Sequence, residues 1–345
     1  MTDGRFPAPA HGPDRPPSAF RAAVEHAITC ELATLTRRGA PVTSPLTPYP
    51  AQEGDGLDVS TGLTYPGKAE RARRNPKVGV VLRDPVGRGD ADRTVVVVRG
   101  LATVHDADIQ ANTDRYIAAS ARKLPDAMHG VPRLVQRTLA WYFARIWITV
   151  TPLSVLWWPD GDLAASPETW TAPHDTVAPT SDPAPAGAPP PPWKSGSTDW
   201  LGRARTAAAW PGGAALTTVD ADGFPLPVPC SAASVDEGGF WLTPAVGAPV
   251  AASGPACITF HVHDAVFTGQ QNATFAGTVP RQESGVRVDV DHAIGDWSLS
   301  GGLGRRAVNV AVTRLRLHPR LVSEAARRSQ AVPKIRLPAR PRRRG

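Results

Sequence analysis

Apolar and polar positions alternate in short bursts along most of this chain. "LATLT" (32–36) and "AALTTV" (214–219) are compact, apolar and β-branched. Each runs into turn chemistry, "RRGAP" and "DADGFP", with Gly and Pro at turn-compatible places. A second strand follows each turn, a third comes after "EGDG" and "DEGG", and a fourth lies in "VGVVL" and "CITFHV". Helical periodicity is confined to 20–27, 68–75, 107–145 and 200–209. Many short strands joined by turns predict a mainly β fold, a barrel or sandwich whose closure or packing removes sheet edges.

The pattern occurs twice. "NPKVGVVLRDP" lines up with "GPACITFHVHD", "VVVVRGLATV" with "NATFAGTV", and "RIWITVTPLSVLWWPDG" with "RAVNVAVTRLRLHP". A single repeat of half the chain's length predicts a duplicated domain rather than a solenoid. Between the copies lies a segment including "SDPAPAGAPPPPWKSGSTDW", without apolar periodicity and suited to extended polyproline conformation rather than a core. The expected organisation is a loose arm (1–17), a first domain (18–162), a Pro-rich linker (163–199), a second domain (200–326) and a basic tail (327–345).

Composition sharpens this picture. A length of 345 residues suits two domains, and 41% apolar residues supply their cores. The 37 prolines belong in linkers and turns, since helix interiors and central strands reject them. The net charge of +7 is local: residues 327–345 carry eight Lys/Arg and no Asp or Glu, leaving −1 before them. That run reads as a solvated tail, and nucleic acid is not an expected partner. Three cysteines, Cys30, Cys230 and Cys257, are odd in number and widely spaced, which argues against a disulfide framework or a zinc site. No apolar run approaches the ~20 residues of a membrane span, and the first twenty residues lack a hydrophobic signal core. The expectation is a cytoplasmic protein with no membrane partner.

The chemistry concentrates in "STGLTYPGKAERARRNPKVGVVL" (60–82). Ser60 and Thr61 end a strand, Pro66 and Gly67 turn the chain, and a short helix from Lys68 halts before Pro76. Lys68 and Arg71, at i and i+3, share a face, and the free N–H groups of the helix start point back toward the hydroxyls. Two readings stand at this point: a soluble basic helix, or a notch for a phosphate monoester. Arg73 and Arg74 point elsewhere on the helix under either. His261 and His263 alternate along a strand and so share a face, with Asp264 following. Nothing in the spacing names a third metal ligand, and no metal is expected. Trp141, Trp147, Trp157 and Trp158 are candidates for core packing or for stacking on a ligand ring.

These segments, with the strand ending Trp-Trp-Pro-Asp-Gly, resemble the split-barrel flavin-binding family that includes pyridoxamine 5′-phosphate oxidase and deazaflavin-using relatives. The resemblance covers residues 20–162. It implies two tandem split β-barrels forming a pseudo-dimer within one chain, with FMN, or alternatively a deazaflavin, as cofactor. It implies that Lys68, Thr61 and Ser60 hold the cofactor phosphate, that Thr43 and Ser44 lie on the strand beside the flavin, and that Trp158 lies near it. Arg71 joins this set on geometry. The chain departs from the vitamin-B6 oxidases in having Gly67 before the lysine and no substrate-phosphate arginine motif, so pyridoxamine phosphate is not implied as substrate. The second copy has "LTPAVGAPVAASGP" where the first has its basic helix, and reads as degenerate. The implied activity is an FMN-dependent oxidoreductase whose substrate and electron donor the sequence does not name. The alternatives are a deazaflavin-dependent reductase and a non-catalytic flavin- or haem-binding protein. The expected assembly is a monomeric pseudo-dimer or a homodimer.

Overall fold

The computed structural model describes residues 15–83, 93–125, 132–191, 196–264, 269–281, 285–298 and 303–337. For 296–298 and 303–314 it describes the backbone alone. The first half contains helix α1 (Ser18–His26) and strands β1 (Cys30–Leu35), β2 (Pro41–Leu46), β3 (Pro48–Pro50) and β4 (Leu57–Gly62). Helix α2 (Gly67–Arg74) and strands β5 (Lys77–Leu82) and β6 (Val95–His105) follow. Helices α3 (Ile109–Lys123), α4 (Arg133–Gln136) and α5 (Ala140–Phe143) lead into the long β7 (Arg145–Trp158), and β8 (Glu168–Thr171) pairs beside it. The second half contains α6 (Leu201–Ala208), β9 (Ala214–Val219), β10 (Pro225–Val235), β11 (Gly239–Pro244), β12 (Gly254–His263), β13 (Gln270–Val279), β14 (Val286–Ser298) and α7 (Leu303–Arg327).

Strand order establishes the duplication. The first sheet runs β2-β1-β5-β6-β7-β4-β3, and the second is a closed barrel, β10-β9-β12-β13-β14-β11, returning to β10. β10 achieves closure by changing partner midway: 225–230 pair with β9, and 232–235 pair with β11 after a bulge. The first half uses the same path, broken at Thr47, with β2 pairing β1 and β3 pairing β4. Both halves are therefore split barrels of one topology.

The apolar runs are explained by burial on two sides. In β5, Val78, Val80 and Leu82 line the first core while Val81 joins the second; in β6, Val96 and Val98 face one core and Val95 and Val97 the other. Adjacent strand residues point to opposite faces, so a strand between two cores loses its polar alternation. The two barrels meet reciprocally: β5 packs on β10 as β12 packs on β2, and β1 on β10 as β9 on β2. Each contact has its pseudo-symmetric counterpart, the signature of an isologous interface, here built within one chain. Glycine permits the closest approach, since a Cβ on Gly79 would lie 2.1 Å from the Pro225 carbonyl oxygen. Among the described residues no helix is long and apolar enough to cross a membrane.

Three sequence expectations need correction. The segment aligned with the end of β7, "RAVNVAVTRLRLHP", lies in helix α7; the true counterpart of β7 is β14. The linker does contribute to a core. Trp170 of β8 is 3% exposed, and the Asp182 N–H and Ser181 hydroxyl bond the Val104 carbonyl and N–H. Those groups are open because β5 pairs with β6 only as far as Leu101, which leaves an edge to be covered. The basic run is not simply a solvated tail. Arg327 and Arg328 are ion-paired with side chains 8% and 2% exposed, and Val332, Ile335 and Leu337 pack against the first core. Residues 1–14 of the expected arm and 338–345 of the tail lie outside the described residues.

Candidate functional site

The strand β4 ends against the start of β7, with Gly62 directly opposite Arg145. Ser60 and Gly62 share one face of β4, and Thr61 takes the other. The structure thus splits the hydroxyl pair. Thr61, 2% exposed, donates to the Tyr65 carbonyl at 3.0 Å and fixes the loop into α2. On the Gly62 face, a Cβ would sit 3.0 Å from Arg145 Nη1, 3.3 Å from Tyr65 Cδ2 and 3.7 Å from Thr64 Oγ1. The missing side chain leaves a cradle ringed by donors. Thr64 is fully buried, and its hydroxyl has no hydrogen-bond partner among the described residues. Arg145 Nη2 donates to the Tyr116 hydroxyl at 3.0 Å, and the guanidinium lies 4.2 Å from the Tyr116 ring centre, while Nε is buried without a partner.

α2 begins at Gly67 and packs Ala69 and Ala72 against the barrel, which sends Lys68 and Arg71 to one side. Arg71 Nε donates to Thr34 Oγ1 at 2.8 Å, and its Nη1 lies 3.5 Å from where a Gly67 Cβ would be. Burial, then Arg71 and Arg145, push the Lys68 ammonium down to about 8. Burial, then Arg74, pushes Arg71 down to about 10. Among the described residues no carboxylate forms an ion pair with Lys68, Arg71 or Arg145. Three cations stand together without a carboxylate among the described residues, beside an unsatisfied hydroxyl; against the effect of burial, Arg145 holds the Tyr116 phenol it bonds below its ordinary value. Such a group is costly unless an anion completes it. The donor set fits a phosphate ester, for which charge-assisted bonds are the strong ones.

The sequence-derived set is only partly assembled here. Lys68, Arg71, Thr61 and Ser60 lie at the β4–α2 junction. Thr43 is used to join the barrels: its hydroxyl and that of Thr217 are 2.6 Å apart and buried. It reaches the notch only through Cys257, a neighbour of both Thr43 and Arg71. Ser44 is half-buried on the same strand, opposite Leu32. Trp158 lies apart from the notch. It ends the fourteen-residue β7 that Arg145 begins, on the order of 40 Å of strand at ~3.3 Å per residue. It is buried in the second core and donates to the Val246 carbonyl at 3.2 Å. Sequence reading missed Thr64 and Arg145. Thr64 stood within the quoted motif, four residues before Lys68. Arg145 is distant in sequence and enters through strand register alone.

In the second half, 245–253 contain no helix and no Lys or Arg. A cavity of about 260 Å³ lies there, walled by residues such as Ala245, Ala248, Val250 and Val286. Arg287 at its side is already paired with Asp236 (2.6 Å) and Asp289 (2.7 Å). His261 and His263 stack on one another along β12 at the barrel interface. His261 Nδ1 lies 3.1 Å from Glu31 Oε1, and both Nε2 atoms approach the Thr29 hydroxyl, at 2.9 and 3.2 Å. Glu31 is fully buried and also receives Arg83. Among the described residues no group of His, Cys, Asp or Glu is arranged to hold a metal ion.

No family model matches this chain, and no curated protein matches it. Solved structures similar to it include general stress protein 26 from Bacillus anthracis (18% identity, 44% of this chain and 95% of that one, TM-score 0.28). An F420 reductase shares 21% identity over 41% of this chain and 98% of its own, with a TM-score of 0.31. A pyridoxamine 5′-phosphate oxidase-related, FMN-binding protein from Nostoc punctiforme shares 18% identity over 40% and 79%, with a TM-score of 0.28. Each spans one half's length of this chain. TM-scores near 0.3 carry no weight of their own, and the tandem split-barrel class stands on the strand order.

Proposed function

We propose that the first barrel binds FMN by its phosphate and that the protein is a flavin-dependent oxidoreductase. The observation that supports this reading is the cationic notch, in which, among the described residues, Lys68, Arg71 and Arg145 lack a carboxylate and Thr64 lacks a partner. A bound flavin would supply the hydride chemistry itself. The chain's own residues hold and orient. Lys68 and Arg71 would neutralise the phosphate, Thr64 would donate to one of its oxygens, and Arg145, braced by Tyr116, would keep the cradle positive. Ser60 faces the same side as Gly62 and is a further donor. The second barrel, lacking cations at 245–253, would serve as a wall: its Cys257 stands beside Arg71.

A deazaflavin phosphate meets the same cations, so the test must identify the molecule. Native protein is denatured and the released small molecules are weighed by mass spectrometry. FMN is expected; a deazaflavin would replace the cofactor while keeping the site. Lys68→Ala is expected to abolish the yellow colour, whereas His261→Ala retains it. Protein that is colourless and binds neither flavin at micromolar concentration overturns the reading. Bound flavin that neither NAD(P)H nor reduced deazaflavin can reduce would make the protein a binder rather than an enzyme.

A further inference from the structure

Helix α2 carries a single carboxylate, Glu70, one turn or less from both Lys68 and Arg71. Glu70 faces the outer side of the helix, one residue from Arg71 and two from Lys68, so an uncompensated negative charge there would add to the field that the notch presents to an anion. The structure provides the compensation from a remote part of the chain. Glu70 pairs with Arg327, lies 3.6 Å from Arg328 and 3.7 Å from Arg73. Arg328 continues to Asp106 at 2.8 Å and Glu324 at 2.6 Å, and Arg73 reaches Asp106 at 2.6 Å. Glu70, Asp106 and Glu324 thus meet Arg73, Arg327 and Arg328 on the outer side of α2, with Asp182 beside Asp106, and Glu324, Asp106 and Arg328 are each 2% exposed. Although burial opposes its charge, Glu324 and Glu70 raise Arg327 above the ordinary arginine value. The docking is secured by Leu317, Leu321 and Ala325 of α7, all buried in the first core.

We propose that Arg327 and Arg328 are specificity-determining residues for the anion notch: by neutralising Glu70 they keep the field at Lys68 and Arg71 positive, so that the first barrel selects a phosphate-bearing ligand over its phosphate-free counterpart. The inference rests on the anion-site reading above. It assigns a function to the C-terminal segment, which follows the second barrel in sequence but sets the electrostatics of the first.

The test compares FMN with riboflavin, titrated into the full chain by flavin fluorescence. Wild type binds FMN more tightly. Arg327→Gln removes one of the three guanidiniums facing Glu70 and leaves the cluster one negative charge in excess, and FMN affinity falls about tenfold, as one added charge near a partly screened site allows, while riboflavin affinity is unchanged. Adding Glu70→Gln removes the excess charge and restores the FMN preference. If FMN and riboflavin weaken together and Glu70→Gln gives no rescue, the contact is merely structural and the inference is overturned. Should Arg327→Gln not fold, Glu70→Gln alone decides: its FMN preference must hold or grow, and a loss overturns the inference. Wild type that prefers neither ligand overturns the anion site itself, and this inference with it.

Discussion

Gly100 of β6 and Gly277 of β13 occupy one and the same β-bulge in the two barrels. Each directly follows the point where the opposite strand carries an extra residue, Leu153 in β7 and Asp291 in β14. A Cβ on Gly100 would lie 2.6 Å from the Thr151 carbonyl oxygen, and one on Gly277 only 2.1 Å from that of Asp289. Both barrels bend at this bulge, and both need a residue without a side chain there. Gly277→Ala is expected to cost about 3 kcal/mol, and Gly100→Ala somewhat less, by the strain of overpacking against backbone. Urea unfolding of the two variants checks the order; equal, negligible losses would show that the bulges can flatten.

The hydroxyls of Thr43 and Thr217 join the barrels across the pseudo-twofold interface. Thr43→Val alone leaves the buried Thr217 hydroxyl unpaired, at a cost of about 1–3 kcal/mol, whereas Thr217→Val leaves the Thr43 hydroxyl with Cys257 as partner and costs less. The double Val variant removes both and should be more stable than the sum of the singles implies. A double-mutant cycle by denaturant unfolding is expected to give a coupling of about 1 kcal/mol; strict additivity would mean that the pair does not interact.

Thr64→Val separates stability from binding. The hydroxyl is buried without a partner, so an apolar replacement of the same shape should leave the thermal midpoint unchanged or slightly higher. FMN affinity should fall about tenfold, or ~1.4 kcal/mol, with the loss of one charge-assisted bond. A destabilised protein with undiminished FMN affinity would place the hydroxyl in the core's service rather than the ligand's.

The pH dependence of binding follows from Lys68. In the ligand-free protein its ammonium is held down to about 8 by burial, then by Arg71 and Arg145. Phosphate prefers the charged lysine, so FMN affinity should be constant between about pH 7 and 8, where the phosphate is doubly charged, and decline above it, and binding at pH 8–9 should take up a proton. Calorimetry in two buffers of different ionisation enthalpy reads that uptake directly. For the fold the sign is opposite: the unfolded chain binds the Lys68 proton more tightly, so this residue's contribution to stability improves as pH rises from about 8 toward 10.5. In Lys68→Met both dependences should be absent.

What the sequence settled by itself was local and periodic. Short β-branched runs, turn residues and a half-length repeat define two barrels, since strand alternation and turn chemistry act over a few residues. The spacing of Lys68 and Arg71 on a short helix likewise made a candidate anion site visible. The tertiary structure decided everything that depends on register and docking. Arg145 joins the notch only because β4 pairs with β7 at Gly62, and Thr43 is spent on the barrel interface because Thr217 faces it. Trp158 belongs to the second core because a fourteen-residue strand carries it across the molecule. The "basic tail" becomes part of the first barrel because Glu70, Asp106 and Glu324 await Arg327 and Arg328. The physical reason is the same in each case: charge and hydroxyl chemistry is set by what a side chain meets across space, and neighbours in sequence do not specify that.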